Sequence, residues 1–123
     1  MKKIIRKFLC YFGFEIRRLK KAGPSPSDIA SYQKLYPIGS LNAKKFYNIG
    51  AGNFKHPFWS NVDLSLKDNR NKSFPEPDIE YDLMSLYSLP LKNNDAELFY
   101  SSDVIEHIND AAVENLFKEI YRT

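Results

Sequence analysis

Two glycines and a series of acidic residues mark the positions at which this sequence could bind a ligand. Gly50 and Gly52 directly follow a short apolar run. Glycines there let the backbone turn tightly and leave main-chain N–H groups available to a ligand. Asp63 and Asp82 each follow a later apolar run, and Ser101-Ser102-Asp103 ends the next. Because a carboxylate can accept hydrogen bonds from both hydroxyls of a ribose, Asp63 predicts a ribose held over the glycine turn.

The glycine pattern on its own does not identify the ligand. An isolated Gly-x-Gly is typical of an ordinary β-turn, and Lys55 stands where the dinucleotide fingerprint has its third glycine. Only ten residues separate Gly52 from Asp63, which is too few for a crossover helix and a further strand. A pyrophosphate bound on a helix N-terminus is therefore not expected. Asp82 is followed by Leu83 and Met84, apolar walls of the kind that hold a purine face.

Four strands and a helix must position these residues. The predicted strands are Phe46–Ile49, Trp59–Leu64, Ile79–Leu83 and Ala96–Ser101. Asn109 or Asp110 then caps a helix with one apolar stripe. Strands separated by connections and helices predict parallel βαβ units, that is, an α/β fold with an open parallel sheet. The ends of all four strands would then lie on one edge, where such sheets bind ligands.

The formal charge of +3 is unevenly distributed. Residues 1–21 hold eight Lys and Arg against one Glu, which is +7, so residues 22–123 carry −4. An acidic body argues against a general nucleic-acid surface, because phosphate binding depends on clustered cations. The single cysteine, Cys10, cannot form an internal disulfide, and a cytoplasmic setting is predicted.

Apolar residues at three- and four-residue spacings predict a basic amphipathic helix at residues 1–21. Three interpretations stay open: a signal peptide, a helix lying on the inner face of a membrane, and a helix packed on its own domain. The uncharged run is too short and no small-residue cleavage site follows, so secretion is disfavoured. Residues 22–44 read as a linker and a short helix, roughly Asp28–Leu35, capped by Ser25 or Ser27.

The remaining polar candidates are weaker. Glu106 and His107 could act as a base and its orienter, but a structural hydrogen-bonding role is favoured for His107. His56 lies in a loop flanked by Lys and Pro and is predicted to be solvated. Two separated histidines and one cysteine give no zinc spacing, so no metal is predicted. No catalytic residue is assigned.

In this order, the motifs resemble class I S-adenosylmethionine-dependent methyltransferases, specifically the type 11 branch. The resemblance covers roughly residues 45–122. It rests on Phe46-Tyr47-Asn48-Ile49-Gly50-Ala51-Gly52-Asn53, Asn61-Val62-Asp63-Leu64, Asp82-Leu83 with Leu89-Pro90-Leu91, and Tyr100 through Ile108. It implies a Rossmann-like sheet that binds S-adenosylmethionine and serves a small-molecule, sugar or lipid-precursor methyl acceptor.

By this resemblance, the cofactor-binding residues are Asn48, Gly50, Ala51, Gly52, Asp63, Leu64, Asp82, Leu83 and Ser101. The glycines would pass under the methionine part, Asp63 would hold the ribose, and Asp82 and Leu83 would meet the adenine. The region of Ser101 would close the site near the sulfonium. Asn48 stands where many class I enzymes have an acidic residue, although Asn is common in this branch.

Family members continue from a helix like the last one here into a Lys-Pro-Gly-Gly turn and three further strands. On that comparison, we expect residues 45–123 to be the cofactor-binding half of the domain, truncated after its fourth strand, with much of the acceptor pocket missing. The alternative function is that of a truncated, non-catalytic cofactor-binding or membrane-associated module. Enzymatic activity and oligomeric state are left open.

Overall fold

The computed structural model describes residues 23–65 and 76–123, so the helix predicted at residues 1–21 lies outside the described residues. In chain order the elements are helix α1 (Pro26–Leu35), helix α2 (Ile38–Asn42), strand β1 (Phe46–Ile49), strand β2 (Trp59–Asp63), strand β3 (Ile79–Glu80), a 3₁₀ turn (Leu83–Ser85), strand β4 (Leu98–Ser101), a second 3₁₀ turn (Ile105–His107) and helix α3 (Asp110–Arg122).

The four strands form one parallel sheet in the order β3-β2-β1-β4. Strand β1 is central: Phe46 lies opposite both Trp59 of β2 and Leu98 of β4. This arrangement confirms the predicted α/β class and the Rossmann-like parallel sheet. The chain order reverses at β1, and the crevice at such a reversal is where open α/β sheets bind ligands.

Each face of the sheet is covered by helices, which explains why β1 is buried at all four positions. On one face α1 and α2 pack against a core of Leu41, Phe46 and Trp59. On the other face α3 contributes Leu116 to a core whose remaining buried members are Tyr47, Ile49, Val62, Tyr81 and Leu89. A strand buried on both faces reads as a continuous apolar run, as residues 46–49 mostly do.

Helix α1 begins two residues before the predicted start, at Pro26, because Ser25 rather than Ser27 is its cap. The Ser25 hydroxyl accepts the Asp28 N–H at 3.1 Å, and proline is well suited to the first turn because its missing N–H would have no partner there. None of the helix is fully buried. It is held to the sheet by Tyr32, whose hydroxyl accepts the indole N–H of Trp59 at 2.9 Å.

Helix α3 begins at the predicted cap, Asn109, whose side chain accepts the Ala112 N–H at 2.9 Å. Its last turn carries the buried Glu119, which accepts the Leu89 N–H at 2.8 Å and a guanidinium N–H of Arg122 at 2.6 Å. These Arg122 hydrogen bonds hold the pKa of Glu119 below its ordinary value. Arg122 also donates to the carbonyls of Leu89 and Leu91, so the pair fastens the loop before β4 to α3.

We predict that the free energy of unfolding falls at alkaline pH, where the buried phenol of Tyr47 ionises. Burial of the phenol and its hydrogen bond to Asp95 (2.9 Å) raise the pKa of Tyr47 to about 12. A folded-state pKa above the unfolded value favours the neutral phenol, so this stabilisation is full below a pH of about 10 and is lost as the pH rises towards 12. Urea unfolding of the wild-type chain and of Tyr47→Phe at several pH values measures this loss of stability. A stability difference between the two proteins that stays constant across that window would contradict the assignment.

Candidate functional site

The turn after β1 has the backbone that glycine permits most readily. Gly50 and Gly52 both have positive φ, +66° and +54°. The Gly50 N–H donates to the Val62 carbonyl at 2.9 Å, which carries the pairing with β2 one residue past the strand. A Cβ on Gly50 would overlap the side chain of Val104, whereas a Cβ on Gly52 would meet nothing within 4 Å. The first glycine is therefore needed for packing against the segment after β4, and the second faces open space.

Asp63 joins this turn to the end of β2. One carboxylate oxygen accepts the Gly52 N–H at 2.8 Å and the other accepts the Leu64 N–H at 2.8 Å. Asp63 is half-buried. A carboxylate has about four lone-pair positions, so each oxygen can accept a further hydrogen bond from a ligand. The strand predicted at Trp59–Leu64 is confirmed to within one residue, since β2 ends at Asp63.

Strand β3 is shorter than predicted, and Asp82 does not end it. The strand stops at Glu80, and the Asp82 carboxylate instead caps the first 3₁₀ turn by accepting the Met84 N–H at 2.9 Å. Short acidic side chains compete in this way with the hydrogen bonds of a strand. Asp82 is nevertheless exposed, and Leu83 beside it is partly buried against the core under the sheet.

The other expected cofactor residues lie on the same part of the sheet. Ser101 is the last residue of β4 and lies opposite Ile49, whose carbonyl accepts its hydroxyl at 3.4 Å. Asn48 is buried within β1, and Ala51 is buried between the two glycines. Leu64 is 48% exposed just after β2. The ends of β1, β2 and β4 therefore place seven of the nine expected residues around one edge of the sheet, and the other two, Asp82 and Leu83, lie in the turn after β3.

His56 was predicted to be solvated, and that prediction is wrong. Only 5% of its side chain is exposed, because the ring packs among Tyr32, Phe54 and Phe58 with centroid distances of 4.7, 6.2 and 5.5 Å. Its Nδ1 accepts the Phe58 N–H at 3.3 Å, and its Nε2 lies 3.3 Å from a carboxylate oxygen of Asp28. Contacts with α1, remote in sequence, bury it, and the local sequence holds no signal of them.

An open groove of about 1060 Å³ lies between the first turns of α1 and the loop 53–56, which follows the glycine turn. None of the nine expected cofactor residues lines it; its walls include Ser27, Asp28, Asn53, Phe54 and His56.

Glu106 and His107, the weaker polar candidates, lie in the second 3₁₀ turn with exposed side chains. Within residues 23–65 and 76–123 there is no group of three or more His, Cys, Asp or Glu side chains arranged to hold a metal ion.

Comparison with known proteins matches part of this chain to a protein family. A family model described as "Methyltransferase domain" matches residues 58–123, from the start of β2 through α3. The matched range includes Asp63, Leu64, Asp82, Leu83 and Ser101, and it begins after the glycine turn. Neither a curated protein nor a solved structure matches the chain.

Proposed function

Since the chain belongs to the methyltransferase domain family, we propose that its glycine turn and strand ends bind S-adenosylmethionine and that the bound cofactor methylates a small acceptor. The observation that carries this proposal is the hydrogen bond from the Gly52 N–H to the Asp63 carboxylate. It fixes a ribose-binding side chain directly against a turn that a ligand can approach closely.

The residues present fit this cofactor in three respects. Gly52 has open space where a side chain would project, so a ligand can lie on the backbone there. Asp63 is oriented by two backbone N–H groups and keeps acceptor capacity for two ribose hydroxyls. Leu83 and the half-exposed Met84 offer apolar surface for an adenine beside Asp82.

Methyl transfer requires mainly that the protein position the cofactor and the acceptor. When bound, S-adenosylmethionine supplies a methyl group on a sulfonium, which an acceptor oxygen or nitrogen attacks in line. The residues of this chain contribute by holding the two reactants close and aligned, which can account for much of such a rate enhancement. A general base is needed only where the acceptor atom is protonated, and we assign none.

Isothermal titration calorimetry with S-adenosylmethionine or S-adenosylhomocysteine tests the site. We expect the wild-type chain to give a measurable heat of binding and Asp63→Ala to abolish it, because the variant loses both the ribose acceptor and the anchor of the Gly52 turn. Asp110→Ala is the matched control, since Asp110 is an exposed carboxylate in the first turn of α3. Circular dichroism checks that both variants fold. Unchanged affinity in Asp63→Ala would refute the assignment.

We further propose a small-molecule, sugar or lipid-precursor acceptor, in keeping with the type 11 resemblance and with the −4 charge of residues 22–123. No helix among the described residues is long and apolar enough to cross a membrane. Contact of residues 1–21 with an anionic membrane surface, and a cytoplasmic location, remain predictions from the sequence.

A further inference from the structure

The two outer strands of the sheet differ in how well they are protected against pairing with another chain. Edge strands are commonly kept short, charged, interrupted by proline or bulged. Strand β3 is two residues long, carries Glu80 and follows Pro77 and Asp78. Strand β4 is four residues long, and Leu98–Ser101 contain no charge, no proline and no break in the pairing with β1. Within the described residues β4 pairs with β1 alone, so its outer edge lacks these protections.

The backbone of β4 presents hydrogen-bonding groups at this outer edge. Ile49 directs its carbonyl towards β4, where it accepts the Ser101 hydroxyl at 3.4 Å, while the Gly50 N–H of the same peptide points to β2. Because the backbone groups of successive residues point to opposite sides of a strand, Tyr47 also faces β4. In a parallel pair a residue bonds to the two neighbours of its partner, and the partner of Tyr47 is Phe99. The N–H and C=O of Phe99 therefore point away from β1, towards the outer edge.

The side chains of β4 are apolar on both faces of the sheet. Leu98 and Tyr100 share the face that α1 and α2 partly cover, and they are 39% and 53% exposed. The ring of Tyr100 meets that of Trp59 edge-on, with centroids 6.3 Å apart. Phe99 lies on the other face, stacked on Tyr47 at 5.5 Å and only partly buried. A strand paired against this edge would cover apolar surface as well as bond to the backbone.

We propose that a second copy of this chain pairs with β4, antiparallel, about a two-fold axis through Phe99. Each Phe99 then exchanges two backbone hydrogen bonds with Phe99 of the partner subunit, as an antiparallel pair of outward-facing residues does. The same register brings Leu98 opposite Tyr100 of the partner subunit on one face of an eight-stranded sheet.

The edge is complementary to itself, which favours a second copy over an unrelated strand. The register that bonds Phe99 to its own copy also pairs the two half-exposed apolar side chains, Leu98 and Tyr100, in the close arrangement that stabilises antiparallel sheets. Ser101 falls opposite Glu97, so no like charges face each other across the pair. Two-fold dimers are also the commonest oligomers. The proposal does not depend on the proposed methyltransferase activity.

Sedimentation velocity of the full chain over a range of concentrations tests for the dimer. A pairing of four residues is a small interface, so we expect the chain to shift from one to two chain masses with a Kd on the order of 10 μM. Leu35→Lys is the matched control, since Leu35 is a 72% exposed leucine at the end of α1, and it should leave this Kd unchanged. A wild-type chain that stays monomeric at about 500 μM would refute the proposal.

Two double variants test the register. Leu98→Lys/Tyr100→Lys places like charges opposite each other and should weaken association about tenfold or more. Leu98→Lys/Tyr100→Glu places a lysine opposite a glutamate and should associate about tenfold more tightly than the first variant, with a difference that shrinks in high salt. Circular dichroism checks that both fold. Equal association of the two variants would show that these side chains do not face each other, and the proposal would be wrong.

Discussion

Replacing Gly50 with alanine is expected to lower the free energy of unfolding by roughly 3 kcal/mol or more, from a left-handed backbone cost and a core overlap together. Gly50 has φ +66°, and its added Cβ would occupy the space of the Val104 side chain. Val104 is itself buried and follows β4, so it cannot turn towards solvent. Urea denaturation followed by circular dichroism measures the loss.

Substitutions at two other glycines separate the cost of the left-handed backbone from the cost of the steric overlap. Gly52→Ala has the same backbone cost without a steric contact, so it should lower stability by only about 1–2 kcal/mol. Gly39→Ala has neither a positive φ nor a contact and should not destabilise the fold. Shortening Val104 in the double variant Gly50→Ala/Val104→Ala removes the steric overlap. The double variant should therefore lose less stability than the sum of the losses in Gly50→Ala and Val104→Ala. Equal losses in Gly50→Ala and Gly52→Ala would show that the Val104 contact is unimportant.

The second large effect is expected from Glu119→Ala, at about 3 kcal/mol, because the substitution leaves buried donors without their acceptor. Glu119 is 8% exposed and accepts from both the Leu89 N–H and the Arg122 guanidinium. Removing its carboxylate would leave the Leu89 N–H without an acceptor and Arg122 without its charged partner, so the Leu89–Leu91 loop would be held to α3 less firmly. Chemical denaturation measures the loss.

A glutamate on the same helix provides the control. Glu114 is exposed and pairs with Lys118 at 2.7 Å, so Glu114→Ala should change stability little, as exposed ion pairs usually contribute little. Glu119→Gln keeps an oxygen acceptor and should fall between wild type and Glu119→Ala. Should Glu114→Ala cost as much as Glu119→Ala, burial of the Glu119 carboxylate would not be the cause.

The strands that the sequence predicts best are those whose burial follows from their own residues. Phe46–Ile49 was placed correctly because an uncharged, mostly apolar run between lysines and glycines fits a buried strand. Trp59–Leu64 was one residue too long, since Asp63 turns its carboxylate back to the Gly52 and Leu64 N–H groups. The sheet order and the two-sided covering of β1 come from pairings between remote residues, which periodicity does not encode.

The features that the sequence analysis predicted wrongly or missed have separate causes. Asp82 was expected to end a strand, but its carboxylate caps a 3₁₀ turn instead. The polar flanks of His56 suggested solvent exposure, yet the ring is buried among aromatic residues of α1 and its own loop. Helix α2 was not predicted at all, because it is only five residues long and has one buried side chain, Leu41.

The central position of β1 also affects how the protein is made. Its outer neighbour β4 lies 52 residues further along the chain. At the usual synthesis rate of about 5–20 residues per second, β1 waits roughly 3–10 seconds on the ribosome before β4 has been translated. During that interval Phe46 and Ile49 have only β2 and the nearby helices to cover them. The nascent chain therefore passes through a stage at which one edge of this apolar strand is unpaired.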